Sequence, residues 1–121
     1  MLELLEKHPK SAKLIGNYYL EIILKDMKVD LSEEYKQQVR EKGMANQEIA
    51  NLLQSNYRAL FDLLDDNKVY INITYSTDAK LFYWGVAIDN KINTAFTTPL
   101  TRKEAEKKAV ERAIELLEEK L

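Results

Sequence analysis

The chain has no cysteine, one histidine, three glycines and two prolines among its 121 residues. Each shortage closes off a class of function. Without thiols there are no disulfides, thiolate metal sites or cysteine nucleophiles, and no redox compartment can be inferred. His8 stands beside Pro9 with no second histidine to complete a ligand pair, so it reads as a terminal side chain, and neither a metal nor another cofactor is expected. The sequence holds no glycine-rich phosphate loop, nucleophile elbow or HExxH, and no catalytic residue is assigned. No stretch approaches the roughly 18 uncharged apolar residues of a membrane span, and MLELLEKHPK lacks an apolar run of signal-peptide length. A cytoplasmic location without a membrane partner is the expectation.

Positive charge is also scarce. Eighteen Lys and Arg against twenty Asp and Glu leave a formal charge of −2. Residues 1–67 carry nine cations against twelve anions, and residues 68–121 nine against eight. Neither half has the basic excess that neutralises phosphates, so nucleic acid is not the expected partner.

What is present is ordinary globular material. At 45% hydrophobic and 31% charged residues, with no low-complexity tract, the chain reads as one domain over residues 1–121. A domain near this size buries roughly two-thirds of its unfolded surface and needs no staple. The organisation expected is a helical layer over residues 1–67 and a strand-strand-strand-helix unit over 68–121.

In the helical part, Ser11 to Met27 sets Leu14, Ile15, Tyr18, Tyr19, Ile22 and Ile23 on one broad stripe, with Pro9 suited to the helix entrance and Gly16 weakening the helix. A second, mostly polar helix is expected from about Ser32 to Lys42, capped by Asp30 or Ser32 and ended by Gly43. Two short helices follow, Asn46 to Gln54 with Ile49, Ala50, Leu52 and Leu53, and Tyr57 to Leu64 with Leu60, Phe61, Leu63 and Leu64.

The period changes after Asp65-Asp66-Asn67, a turn-forming cluster. Val69, Ile71, Ile73 and Tyr75 alternate with Tyr70, Asn72 and Thr74, and a second strand carries Phe82, Trp84, Val86 and Ile88 on its heavier face. Asp89-Asn90-Lys91 is a hairpin signal, with Asn90 suited to a left-handed backbone. Ile92, Thr94 and Phe96 alternate in a third strand. Thr101 and Glu104 then form a capping box for a helix whose Ala105, Ala109, Val110, Ala113, Ile114, Leu116, Leu117 and Leu121 make a wide apolar face. The expected fold is α+β: N-terminal helices, a three-stranded antiparallel sheet in sequential order, and the long C-terminal helix packed on it against Phe82, Trp84 and Phe96.

The order strand-strand-strand-helix over Lys68 to Leu121 resembles the C-terminal part of double-stranded-RNA-binding domains and the three-strand-plus-helix DNA readers of plant transcription factors and integrase arms. Such DNA readers need cationic side chains on the sheet face away from the helix. Here that face holds Tyr70, Asn72, Thr74, Tyr83, Gly85, Ala87, Asn93, Ala95 and Thr97, without a Lys or Arg. In the last helix, Arg102, Lys103, Lys107 and Lys108 are interleaved with Glu104, Glu106 and Glu111, the pattern of a solvated face.

Asn46 to Asn67 resembles a helix-turn-helix, which would make the chain a DNA-binding regulator reading through segment 46–65 with Asn56, Tyr57 and Arg58. Asp62, Asp65 and Asp66 oppose that alternative by placing negative charge along the reading helix. A further resemblance rests on ALFDLLDDNKVYI and TRKEAEKKAVERAIELLEEKL, which look like small uncharacterised proteins of bacteriophages and prophages. It implies an accessory protein with a protein partner and transfers no catalytic residues.

The distribution of seven tyrosines supplies the positive signal, because tyrosine offers flat, amphipathic contact area. An uncharged face of Tyr70, Asn72, Thr74, Tyr83 and Ala95 needs a cover, from the N-terminal helices or from a partner. The expected function is a non-enzymatic interaction or accessory module, self-associating or bound to another protein.

Overall fold

A computed structural model describes the backbone of residues 1–26, 31–56, 58–89 and 91–121, and every side chain of these except 56 and 92–100. The chain divides into two compact units, Met1–Asn56 and Tyr57–Leu121. The change falls eleven residues before Asn67, so the short helix ahead of the turn goes with the strands.

The first unit holds four helices: α1 (Leu2–Lys7), α2 (Pro9–Asp26), α3 (Glu33–Lys42) and α4 (Asn46–Asn56). Within MLELLEKHPK, Leu2–Lys7 forms α1, and Leu5 is fully buried. His8 ends that helix: its backbone N–H donates to the Leu5 carbonyl, and its Nδ1 donates to the Leu4 carbonyl at 2.7 Å. It is therefore a half-buried helix terminator, which corrects the reading of a free terminal side chain.

In α2 the buried face is Ala12, Ile15, Gly16, Tyr19, Leu20 and Leu24, rotated from the expected stripe, and Ile23 is exposed. The reason lies in α4. A Cβ at Gly16 would stand 3.0 Å from Ile49 Cδ1, so the missing side chain marks the closest approach of the two helices. Ile49, Ala50 and Leu53 of α4 are buried. Helix α3 buries nothing fully. Ser32 caps it by accepting from Tyr35 N–H at 3.2 Å, and Gly43 ends it at φ +70°, a conformation glycine adopts without penalty. Glu21 of α2 accepts from Arg40 Nε at 2.6 Å, tying α3 to α2.

The second unit holds α5 (Ala59–Asp66), β1 (Val69–Ser76), β2 (Leu81–Ile88), β3 (Lys91–Leu100) and α6 (Arg102–Lys120). The alternating residues pair without interruption from Val69 with Ile88 to Ser76 with Leu81. Lys68, Lys80 and Asp89 take positive φ at the strand ends, and Asn90, where a left-handed backbone is expected, lies outside the described residues.

The expectation of three regular strands beneath the helix is overturned. The regular sheet is a two-stranded antiparallel ribbon, β1 with β2. The backbone of β3 keeps step with β2 only from Lys91 to Ala95 and then slips: Trp84 faces Ala95, yet Phe82, two residues earlier, faces Leu100, five residues later. An odd slip exchanges the faces that successive side chains address. The alternation of Ile92, Thr94 and Phe96 therefore cannot be carried past Ala95, and the side chains of all three lie outside the described ones. Helix α6 packs on β2 and β1 and touches β3 least.

The unit's core is Leu60, Leu64, Val69, Val86, Ala105, Ala109, Val110, Ala113, Ile114 and Leu117, each at most 1% exposed. Phe82 and Trp84, expected to dominate it, are only half-buried. Thr101 Oγ1 accepts from Glu104 N–H at 3.3 Å, the forward half of the capping box. Leu121 is exposed, and the apolar face ends at Leu117.

Candidate interaction face

The face of the ribbon away from α6 is built by period-two alternation, which sends Tyr70, Asn72 and Thr74 of β1 and Ala87, Gly85 and Tyr83 of β2 to one side. Register places Tyr70 across from Ala87, Asn72 across from Gly85 and Thr74 across from Tyr83. Tyr70 is 46% exposed, Asn72 and Thr74 are exposed, and Tyr83 is half-buried. Four of the five residues named from the sequence are thus brought together. The fifth, Ala95, pairs with Trp84 through its backbone, and its side chain lies outside the described residues. No charged side chain stands on this face of the ribbon.

The DNA-reading alternative distributes differently. Tyr57 and the Asn56 side chain lie outside the described residues. Helix α4 packs with α1 and α2, whereas α5 packs on β1, so the apolar spacing of Asn46 to Asn67 serves two separate units. Arg58 is engaged within its own unit: its Nη2 donates to Glu106 Oε1 at 3.1 Å. The Glu106 side chain is 10% exposed and the Arg58 side chain 65%. A nearly buried carboxylate needs such donors to offset its lost hydration, which gives Arg58 a structural role. Forty-eight residues separate the two, and no local sequence signal announces the pair.

A second group missed from the sequence sits where the ribbon turns. Tyr75 and Phe82 pack with their rings tilted by 47° and 4.9 Å between centroids, and the Arg102 guanidinium lies 5.3 Å from the Phe82 centroid, a cation–π contact at the start of α6. Tyr75 is 49% exposed. The other end of α6 is tied by Lys120 Nζ, which donates to the Asn67 carbonyl at 2.7 Å.

In the first unit, a cleft of about 290 Å³ opens between α2 and the Gly43 turn, lined by Lys13, Gly16, Asn17, Lys42 and Met44 among others. It lies at the small end of the ligand-site range. Nearby, the Arg40 hydrogen bond holds the Glu21 carboxyl below its usual range. Burial pushes the Tyr19 phenol up to about 12, with a smaller contribution from Tyr18. Among the described residues, no group of three or more His, Asp or Glu gathers where it could hold a metal, and no helix is long and apolar enough to cross a membrane.

No family model, curated protein or solved structure matches this chain.

Proposed function

We propose that the chain is a non-enzymatic interaction module whose outer ribbon face takes a protein partner, acting in the cytoplasm as the accessory protein that its phage-type resemblance implies. One observation carries the reading: an uncharged strand face with Tyr70 nearly half exposed beside Asn72 and Thr74. Exposed strand faces ordinarily carry charge. A neutral face with tyrosines suits an interface, where charge is depleted and tyrosine enriched. Its flat ring gives contact area at low entropic cost, and its hydroxyl keeps the free surface wetted.

Site-specific photocrosslinking in the native cell tests this. A photoreactive residue replacing Tyr83 should give a discrete protein adduct that Tyr70→Glu abolishes. The same residue replacing Tyr35, on exposed α3, should not. Equal, diffuse labelling from both positions would refute the reading.

A further inference from the structure

Helix α3 is held differently from the helices it adjoins. Helices α2 and α4 bury Ile15, Leu20, Ile49 and Leu53, whereas α3 buries no residue fully, and of its two apolar side chains Tyr35 is 49% exposed and Val39 half-buried. At ten residues it is shorter than the roughly 12 at which an isolated helix is even marginal in water. Its polar fastening is a single side chain. Among the described residues, the hydrogen bonds that leave α3 side chains for another element run from Arg40 to Glu21, Nε to Oε1 at 2.6 Å and Nη2 to Oε2 at 3.4 Å, while Lys36 bonds to Glu33 within the helix. The Arg40 and Glu21 side chains are 37% and 42% exposed, so water competes for both ends of the pair.

The end of α3 is fitted to turn. Gly43 stands at φ +70°, and a Cβ built there would meet nothing within 4 Å, so the glycine answers a backbone requirement and no packing confines it. One residue on, Met44 Cβ lies 3.6 Å from where a Gly16 Cβ would be, which fixes the chain to α2. A lightly held helix thus ends at an unpacked joint beside a fixed point. We propose that α3 is a strap that opens as a unit about Gly43 while α2 and α4 stay packed, with the Arg40–Glu21 pair as its latch. Elements with few buried apolar contacts open locally, at less than the free energy of global unfolding. The strap governs the cleft at its end: closed, Arg40, Glu41 and Lys42 stand with Lys13 and Asn17 around it, and open, that wall is gone. The device lies within the first unit and is independent of the ribbon face.

Amide exchange of the full chain, read by mass spectrometry, tests the strap. Peptides covering 36–43 should exchange at least about tenfold faster than those covering 15–24 and 49–53, yet slower than an unstructured peptide. About 1 M urea should leave the α3 rate unchanged and raise the slow rates, because local opening exposes little new surface. Glu21→Gln lies on α2, leaves the sequence of α3 intact and keeps a good helix former in place. It should speed exchange over 36–43 about threefold and leave 49–53 unchanged. Exchange of α3 in step with α2, with the same urea response, would overturn the proposal, and so would exchange of α3 at the unstructured rate. An α3 indifferent to Glu21→Gln, or an equal acceleration over 49–53, would overturn it too, since the pair would then latch nothing or hold the whole unit.

Discussion

The contact between Gly16 and Ile49 gives a quantitative test of the first unit. Replacing a mid-helix glycine with alanine gains about 1 kcal/mol of intrinsic helix stability. Against this, the new Cβ would lie 3.0 Å from Ile49 Cδ1, while Ile49 Cγ1 and Met44 Cβ are both at an ordinary 3.6 Å. Overpacking a core costs about 1–3 kcal/mol. Only one atom is too close, and it is the far end of a movable side chain, so the cost should fall near the bottom of that range. Gly16→Ala alone is therefore expected within about 1 kcal/mol of the parent. Ile49→Val removes the colliding Cδ1 and costs about 0.5–1.5 kcal/mol by itself. The two changes together should be more stable than their sum by about 1 kcal/mol, a coupling that a double-mutant cycle in urea resolves. Gly16→Val adds bulk toward Met44 as well as Ile49, and should cost at least about 2 kcal/mol. Strict additivity of Gly16→Ala and Ile49→Val, with Gly16→Val tolerated, would refute the close approach of α2 and α4.

Three further perturbations probe the remaining contacts. Ile114→Ala, at a fully buried position of α6, should cost about 2–5 kcal/mol, while Tyr35→Ala on exposed α3 should stay within about 0.5 kcal/mol; equal melting shifts would contradict the assigned core. Arg58→Ala removes one donor from the nearly buried Glu106 and should cost about 1–3 kcal/mol in denaturant, with duplex DNA affinity in a band shift unchanged at the weak non-specific level; lost tight binding with unchanged stability would favour the DNA-reading alternative instead. Because the Tyr19 phenol is raised from 10 to about 12, its contribution to stability is intact below pH 10 and is lost as pH rises through 12. An ultraviolet titration should show a late tyrosine component that Tyr19→Phe removes, and an identical titration of the two chains, both still folded by circular dichroism, would contradict its burial.

Local chemistry was legible in the sequence, and long-range choices were not. Ser32, Gly43 and Thr101 act within three or four residues of themselves, so capping rules place them directly. The alternation of β1 and β2 is likewise a period that a single strand displays. The buried face of α2 is different: Leu14 and Ile22 are as apolar as Leu20 and Leu24, and the choice belongs to Ile49, thirty-three residues from the glycine it packs against. The odd slip of β3 has the same character, because alternation within one strand says nothing of its register on the next. Among the candidate face residues, Tyr70, Asn72, Thr74 and Tyr83 were found because one period places them. The Arg58–Glu106 pair was not, since each member looks like a solvated charge until both are placed.

The alanines of α6 explain why the aromatics left the centre of the core. Nineteen helical residues span about 28 Å and eight strand residues about 26 Å, so helix and ribbon match in length. Arg102 over Phe82 and Lys120 on Asn67 place the helix ends over the ribbon ends. Where Ala105, Ala109 and Ala113 face the strands, backbone approaches backbone, and the space beneath suits valine and isoleucine rather than indole. Val69 and Val86 are accordingly sealed, while Trp84, Phe82 and Tyr75 become more open toward the turn. The unit's core joins these alanines to the fully buried Val110, Ile114 and Leu117 of the same helix. Tyr70, Asn72 and Thr74 lie on the opposite face, so their lack of charge is not a by-product of core packing, and that neutrality is what the proposed interface rests on.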